Sequence, residues 1–169
     1  ADIVPGPESS LPPPLACANN KIFMSVTDSA HGTELWKYDG VNSPQLVADI
    51  NPGSASSNPG NTIYFNGKVY FSASDSANGA ELWVYDTINA PTMLVDINPG
   101  SGNSYPSNFT VFNGKMYFTA YETTNGAEMW MYDGVNAPSM AFDIAPGFQS
   151  SSPSNFFEFN SKLYFSASD

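Results

Sequence analysis

The sequence predicts an all-β protein assembled from tandem four-stranded antiparallel units, on three observations. First, a block of 47 residues recurs about 3.6 times without an insertion. Asp2, Asp49, Asp96 and Asp143 each open an Asp-Ile step, Pro5, Pro52, Pro99 and Pro146 each precede a glycine, and Pro12, Pro59, Pro106 and Pro153 follow at the same interval. Second, each block consists of short apolar or alternating runs between clusters of Asn, Asp and Gly, which is the pattern of strands rather than helices. Third, the run from Ala80 to Tyr85 is apolar on both faces, with Leu82 and Val84 on one side and Trp83 and Tyr85 on the other. Such a sheet needs cover on both sides. Blades stacked face to face around a ring supply it, so the predicted architecture is of the β-propeller type. A β-trefoil, which needs three such units, is the alternative.

One repeat domain is expected over 1–169, with repeats at 1–48, 49–95, 96–142 and 143–169, the last incomplete. In the third repeat the strands are predicted over Asn108–Phe112, Lys115–Tyr121, Ala127–Tyr132 and Ser139–Ile144. The first two are joined by Asn113-Gly114, a pair suited to a type I′ hairpin because both residues tolerate positive φ. Thr123-Thr124-Asn125-Gly126 and Asp133-Gly134 supply the next two turns. Pro146-Gly147 and the serines up to Pro153 form the loop into the following repeat, outside the strand ladder where proline is tolerated. On this reading the chain opens in the fourth strand of a repeat, at Asp2-Ile3, and Asp169 follows the second strand of another. The tryptophan strand of the fourth repeat is then lacking, so the sequence reads as a segment of a longer repeat protein or as one of several copies that complete a ring.

Composition narrows the function. Hydrophobic residues make up 41% of the 169 and aromatics 14%, too many for a disordered chain. The net charge is −11, with five lysines and no arginine, so nucleic acid is a poor partner: backbone phosphates demand a basic patch. No run approaches the roughly 20 apolar residues that span a bilayer. Cys17 is the only cysteine, which excludes an intramolecular disulfide. Asn108-Phe109-Thr110 matches the N-glycosylation acceptor pattern, a three-residue match that arises readily by chance.

The third strand and its flanks carry a recognisable mark: Gly32-Thr33-Glu34-Leu35-Trp36-Lys37-Tyr38-Asp39-Gly40, its counterpart from Gly79 to Asp86, and Gly126 to Gly134 with Met129 in the leucine place. Together with Asp96-Ile97-Asn98-Pro99-Gly100-Ser101 and the Asn-Gly-Lys hairpin, it resembles the bacterial ELWxxDGT repeat family, also called hyalin-like. The resemblance covers essentially the whole chain. The chain departs from it where the family has threonine after Asp-Gly: Val41 and Val135 stand there, and Asp86-Thr87 replaces Asp-Gly. The resemblance implies a secreted or surface-attached bacterial protein of no agreed biochemical activity.

Candidate sites follow the repeat. Asp28 and Glu34, Asp75 and Glu81, and Glu122 and Glu128 flank a glycine turn in successive repeats. Carboxylates around such a loop suit calcium, which takes about 6–8 oxygen ligands, so a structural calcium ion is the one cofactor the sequence suggests. The competing and preferred reading is structural: the first acid caps the turn, and the glutamate bonds into the neighbouring blade. Trp36, Trp83 and Trp130, with Tyr38, Tyr85 and Tyr132, could stack on sugar rings but read better as interblade packing. A carbohydrate site fits the loops better, for instance around Ser101 to Pro106. His31 is the single histidine and stands where the other repeats have Asn78 and Asn125. It is the one residue around which a hydrolase cleft could be imagined, although acids repeated in every blade argue against singular chemistry.

The expected function is that of a non-enzymatic extracellular module for binding or scaffolding. Its expected partners are other protein chains, or further copies of itself, through unpaired blade edges. A lectin-like propeller binding glycans is the second reading, and a hydrolase near His31 the third.

Overall fold

The computed structural model describes residues 14–169; Asp2, Pro5 and Pro12 of the first repeat lie outside the described residues. The chain divides into two compact units, residues up to Ser76 with Trp83–Thr92, and Ala77–Leu82 with Met93–Asp169.

Fourteen strands and no helix occur among the described residues. The first sheet contains β1 (Pro14–Ala18), β2 (Lys21–Asp28), β3 (Gly32–Tyr38) and β4 (Gln45–Ala48) in that order. The second contains β5 (Gly60–Phe65), β6 (Lys68–Asp75), β7 (Gly79–Tyr85) and β8 (Thr92–Val95), and the third β9 (Ser107–Phe112), β10 (Lys115–Glu122), β11 (Gly126–Tyr132) and β12 (Ser139–Phe142). β13 (Ser154–Phe159) and β14 (Lys162–Ser166) form a two-stranded sheet. Each four-stranded sheet is a meander. Lys21, Lys68, Lys115 and Lys162 each open the second strand of their sheet, so the 47-residue register of the sequence is kept in space.

The turns explain the meander. Asn113 and Gly114 have φ of 48° and 71°, the double positive φ that a type I′ hairpin requires, and Asn66 and Gly67 repeat it at 47° and 80°. The first strand of each later sheet carries a second positive-φ asparagine, Asn61, Asn108 or Asn155. There the pairing slips, as between Gly60 and Ile63 or Ser154 and Phe157, which marks a β-bulge.

One sequence expectation is corrected. The fourth strand ends at Phe142, so Asp143-Ile144 lies beyond it, as Asp49-Ile50 lies beyond β4 and Asp96-Ile97 beyond β8. These steps are not strand. Their isoleucine amides bond to a glutamate side chain instead of to a neighbouring strand.

In the first compact unit the core gathers Ala18, Phe23, Leu35, Ile50, Val69, Phe71, Ala73 and Tyr85, with Trp83 packed against it. The Phe23 and Tyr85 rings meet edge to face at 5.8 Å. In the second unit Leu82, Ile97, Met116, Phe118, Ala120 and Met129 are buried. Trp130, Tyr85 and Tyr132 are buried and Trp36, Trp83 and Tyr38 half-buried, so these aromatics are largely withdrawn from solvent.

Candidate functional site

Three buried carboxylates organise the loops. Glu34, Glu81 and Glu128 occupy the third position of β3, β7 and β11, and each is 0% exposed. Glu81 Oε2 accepts hydrogen bonds from the Ile97 amide at 2.8 Å and from Ser104 Oγ at 2.6 Å, and Oε1 accepts from the Ser104 amide at 3.1 Å. Glu128 repeats this with the Ile144 amide at 2.9 Å and the Ser151 amide and Oγ at 2.9 and 2.6 Å. Glu34 does so with the Ile50 and Ser57 amides and Ser57 Oγ.

The serine continues the chain of contacts. The carbonyl of Ser57 accepts from the Ser74 amide in β6, that of Ser104 from the Tyr121 amide in β10, and that of Ser151 from the Ser168 amide, at 2.8 to 2.9 Å. Each glutamate thus clamps the loop that leaves its own sheet, and the clamped serine bonds the second strand of the next or, for Ser151, a residue just past it. The loop passes so close to the preceding turn that a Cβ on Gly79 would lie 2.2 Å from the Gly102 carbonyl oxygen. Gly79 also has φ of 70°, so glycine is required there on both counts.

Such a carboxylate, ringed by N–H and O–H donors, is the inverse of a cation cage. The first acids of the pairs engage other donors. Asp28 ends β2 and accepts from the Ala30 and His31 amides at 2.8 and 2.7 Å, capping its turn. Glu122 ends β10 and accepts from Thr124 Oγ1 at 3.2 Å, and Asp75 ends β6. Pairing places Asp28 opposite Gly32 and Glu34 opposite Val26, two rungs apart. No group of three or more His, Cys, Asp or Glu side chains suited to a metal ion occurs among the described residues.

Electrostatics follow from these contacts. Burial pushes the Glu81 carboxyl up, against the opposing pull of the Ser104 hydroxyl and the Ile97 and Asn98 amides. Burial also raises Asp28, but the bonds from His31 and Ala30 overcome it and hold the carboxyl below its ordinary value. His31 lies 2.9 Å from Asp28 through Nδ1 and is raised by that hydrogen bond, against partial desolvation. The pair stands on an open turn, with the His31 side chain 38% exposed.

A second repeated device closes the turn after the tryptophan strand. Asp39, Asp86 and Asp133 each accept two backbone amides and the side-chain amide of Asn42, Asn89 or Asn136, the last at 2.7 Å in every repeat. The asparagine bond and the two amides lower Asp39 and Asp133 to about 2, and they lower Asp86. Gly40 and Gly134 follow with φ of 83° and 87°, and Thr87 takes the same conformation at 69°.

Sequence reasoning picked out the glutamates but missed their serine partners. Ser57, Ser104 and Ser151 recur two residues before a proline, yet nothing in the sequence joins them to an acid 23 residues earlier.

The second compact unit also holds a cavity of about 580 Å³ lined by residues of the third repeat, among them Asn103, Tyr105, Asn108 and Tyr121, together with Ser152 of the fourth. It overlaps the Ser101 to Pro106 segment that the sequence nominates for sugar binding.

No protein-family model and no curated protein sequence matches the chain. Among solved structures the chain is similar to the acylaminoacyl peptidase of Pyrococcus horikoshii, with a TM-score of 0.52 and 16% identity. The likeness covers 80% of this chain and 20% of the peptidase, and it is one of fold. The peptidase contains a β-propeller domain.

Proposed function

We propose that the chain is a non-enzymatic binding or scaffolding module of propeller-type blades, working outside the cell or on a bacterial surface within a larger assembly. The observation that carries this reading is the fate of the repeated glutamates. Glu34, Glu81 and Glu128 are buried and their oxygens are taken up by backbone amides and serine hydroxyls. Acids used in this way hold loops, and they are not free to ligate or to transfer protons. The singular histidine, His31, bonds to Asp28 on an open turn, with its side chain partly exposed.

The likeness to a peptidase with a propeller domain supports the blade architecture. The Glu-Leu-Trp and Asp-Ile-Asn-Pro-Gly marks, which resemble the ELWxxDGT repeats, support the surface location. The proposed assembly is through sheet edges, whose unpaired backbone groups are templates for a further strand.

Light scattering on the native protein, with and without a calcium chelator, tests the reading. Particles of two or more chains support it. A monomer of 18.1 kDa under all conditions overturns the assembly it requires, and dissociation by the chelator makes calcium part of that assembly.

A further inference from the structure

We propose that the cavity of the third repeat is a binding site for a neutral saccharide, with Tyr105 and Tyr121 as stacking platforms and Asn103 and Asn108 as the polar contacts. The proposal rests on the reading of the chain as a binding module and names its ligand class.

Three departures from the repeat converge on this one cavity. Tyr105 stands where the neighbouring repeats have Asn58 and Ser152, Tyr121 where they have Thr27, Ser74 and Ser168, and Asn103 where they have Ser56 and Ser150. Drift would scatter such changes, whereas these line a single space.

Tyr105 keeps the backbone of its position at a cost. Its φ is 46°, like that of Asn58 and Ser152, in the left-handed region that asparagine tolerates and a bulky aromatic residue seldom occupies. The ring is also 65% exposed, so packing does not explain it. A strained residue with a solvent-facing aromatic ring is the kind of outlier found at ligand sites. Tyr121, also exposed, is tied to the same loop by its amide bond to the Ser104 carbonyl.

The polar groups are complementary to sugar hydroxyls. Ser56 and Ser150 each cap a third-strand amide with Oγ, and Asn103 does the same with Oδ1, to the Ala80 amide at 2.8 Å. The exchange therefore preserves the cap and adds an Nδ2 donor. Asn108 donates through Nδ2 to the Pro153 carbonyl at 3.3 Å and keeps Oδ1 as an acceptor. One donor and one acceptor beside two tyrosine rings match a ring that carries hydroxyls on its rim and C–H groups on its face. Among the described residues no lysine, aspartate or glutamate lines the cavity, which suits an uncharged ligand, and the volume lies within the range of small-ligand pockets.

The test is an array of neutral oligosaccharides built from glucose, galactose, mannose and N-acetylhexosamine, probed with the labelled protein, followed by saturation-transfer NMR on each hit. Asn103→Ser, Tyr105→Asn and Tyr121→Ser each restore a residue that a neighbouring repeat already carries, so all three fold. Each is expected to weaken binding at least tenfold, with Tyr105→Asn melting no lower than the wild type. Ile88→Ala, on an exposed turn, leaves binding unchanged. Absence of binding to every neutral glycan, binding untouched by the three variants, or binding to charged glycans or proline-rich peptides alone overturns the saccharide site and leaves the module reading standing. Release of cleaved sugar by the wild type would instead overturn the non-enzymatic reading.

Discussion

Glu81 Oε2 and Ser104 Oγ lie 2.6 Å apart, with both side chains buried, and the same contact recurs between Glu128 and Ser151. A buried carboxylate is tolerated only when donors replace its water. Here the donors are a strand-exit amide and a serine that supplies both its amide and its hydroxyl. The acid of one repeat is therefore solvated by the chain on its way into the next, which couples successive sheets.

Thr87 is the strained member of its turn series, holding a β-branched side chain at φ of 69° where Gly40 and Gly134 stand. A left-handed L-residue costs roughly 1–2 kcal/mol, and asparagine tolerates the region better. Thr87→Asn should raise stability by about 1 kcal/mol, read as a higher urea midpoint with an unchanged slope. Thr87→Gly should gain less, because glycine adds entropy to the unfolded chain.

The Asp133 turn makes a pH prediction. Its carboxyl lies near 2 because Asn136 and two amides hold the charged form, so Asn136→Ala should return it toward 3.8, measured by NMR titration. A carboxyl lowered in the folded state stabilises above the unfolded value and loses that contribution as the pH falls through the folded one. Stability should therefore decline between about pH 4 and pH 2, and Asn136→Ala should reduce that decline.

His31 gives the opposite sign. The hydrogen bond to Asp28 raises its pKa above 6.5, so the pair stabilises below that pH and the contribution fades as the pH rises through the folded value. NMR should place His31 above 6.5 in the wild type and lower it in Asp28→Asn. An unchanged His31 in that variant would show that the pair does not persist in solution.

Much of the fold was legible because the repeat presents every strand and turn three or more times. The Asn113-Gly114 pair fixed a type I′ hairpin, and the strand runs of the third repeat fall within two residues of β9 to β12. The Asp-Ile step was misread as strand because Ile50, Ile97 and Ile144 look like strand residues, whereas their amides go to a distant carboxylate. That partner lies 16 residues away and no local pattern announces it. The cavity of the third repeat was hidden for a different reason. A search for recurrence finds what repeats share, and Asn103, Tyr105 and Tyr121 are where they differ.

The recurring glutamates hold one repeat to the next. Denaturant unfolding of Glu81→Ala against the wild type tests it most directly. A loss of at least about 2 kcal/mol or a failure to fold is expected, since the buried Ile97 amide loses its acceptor and the Ser104 amide and hydroxyl lose the carboxylate and keep only the Ala80 carbonyl. An unfolding midpoint equal to that of the wild type would contradict it.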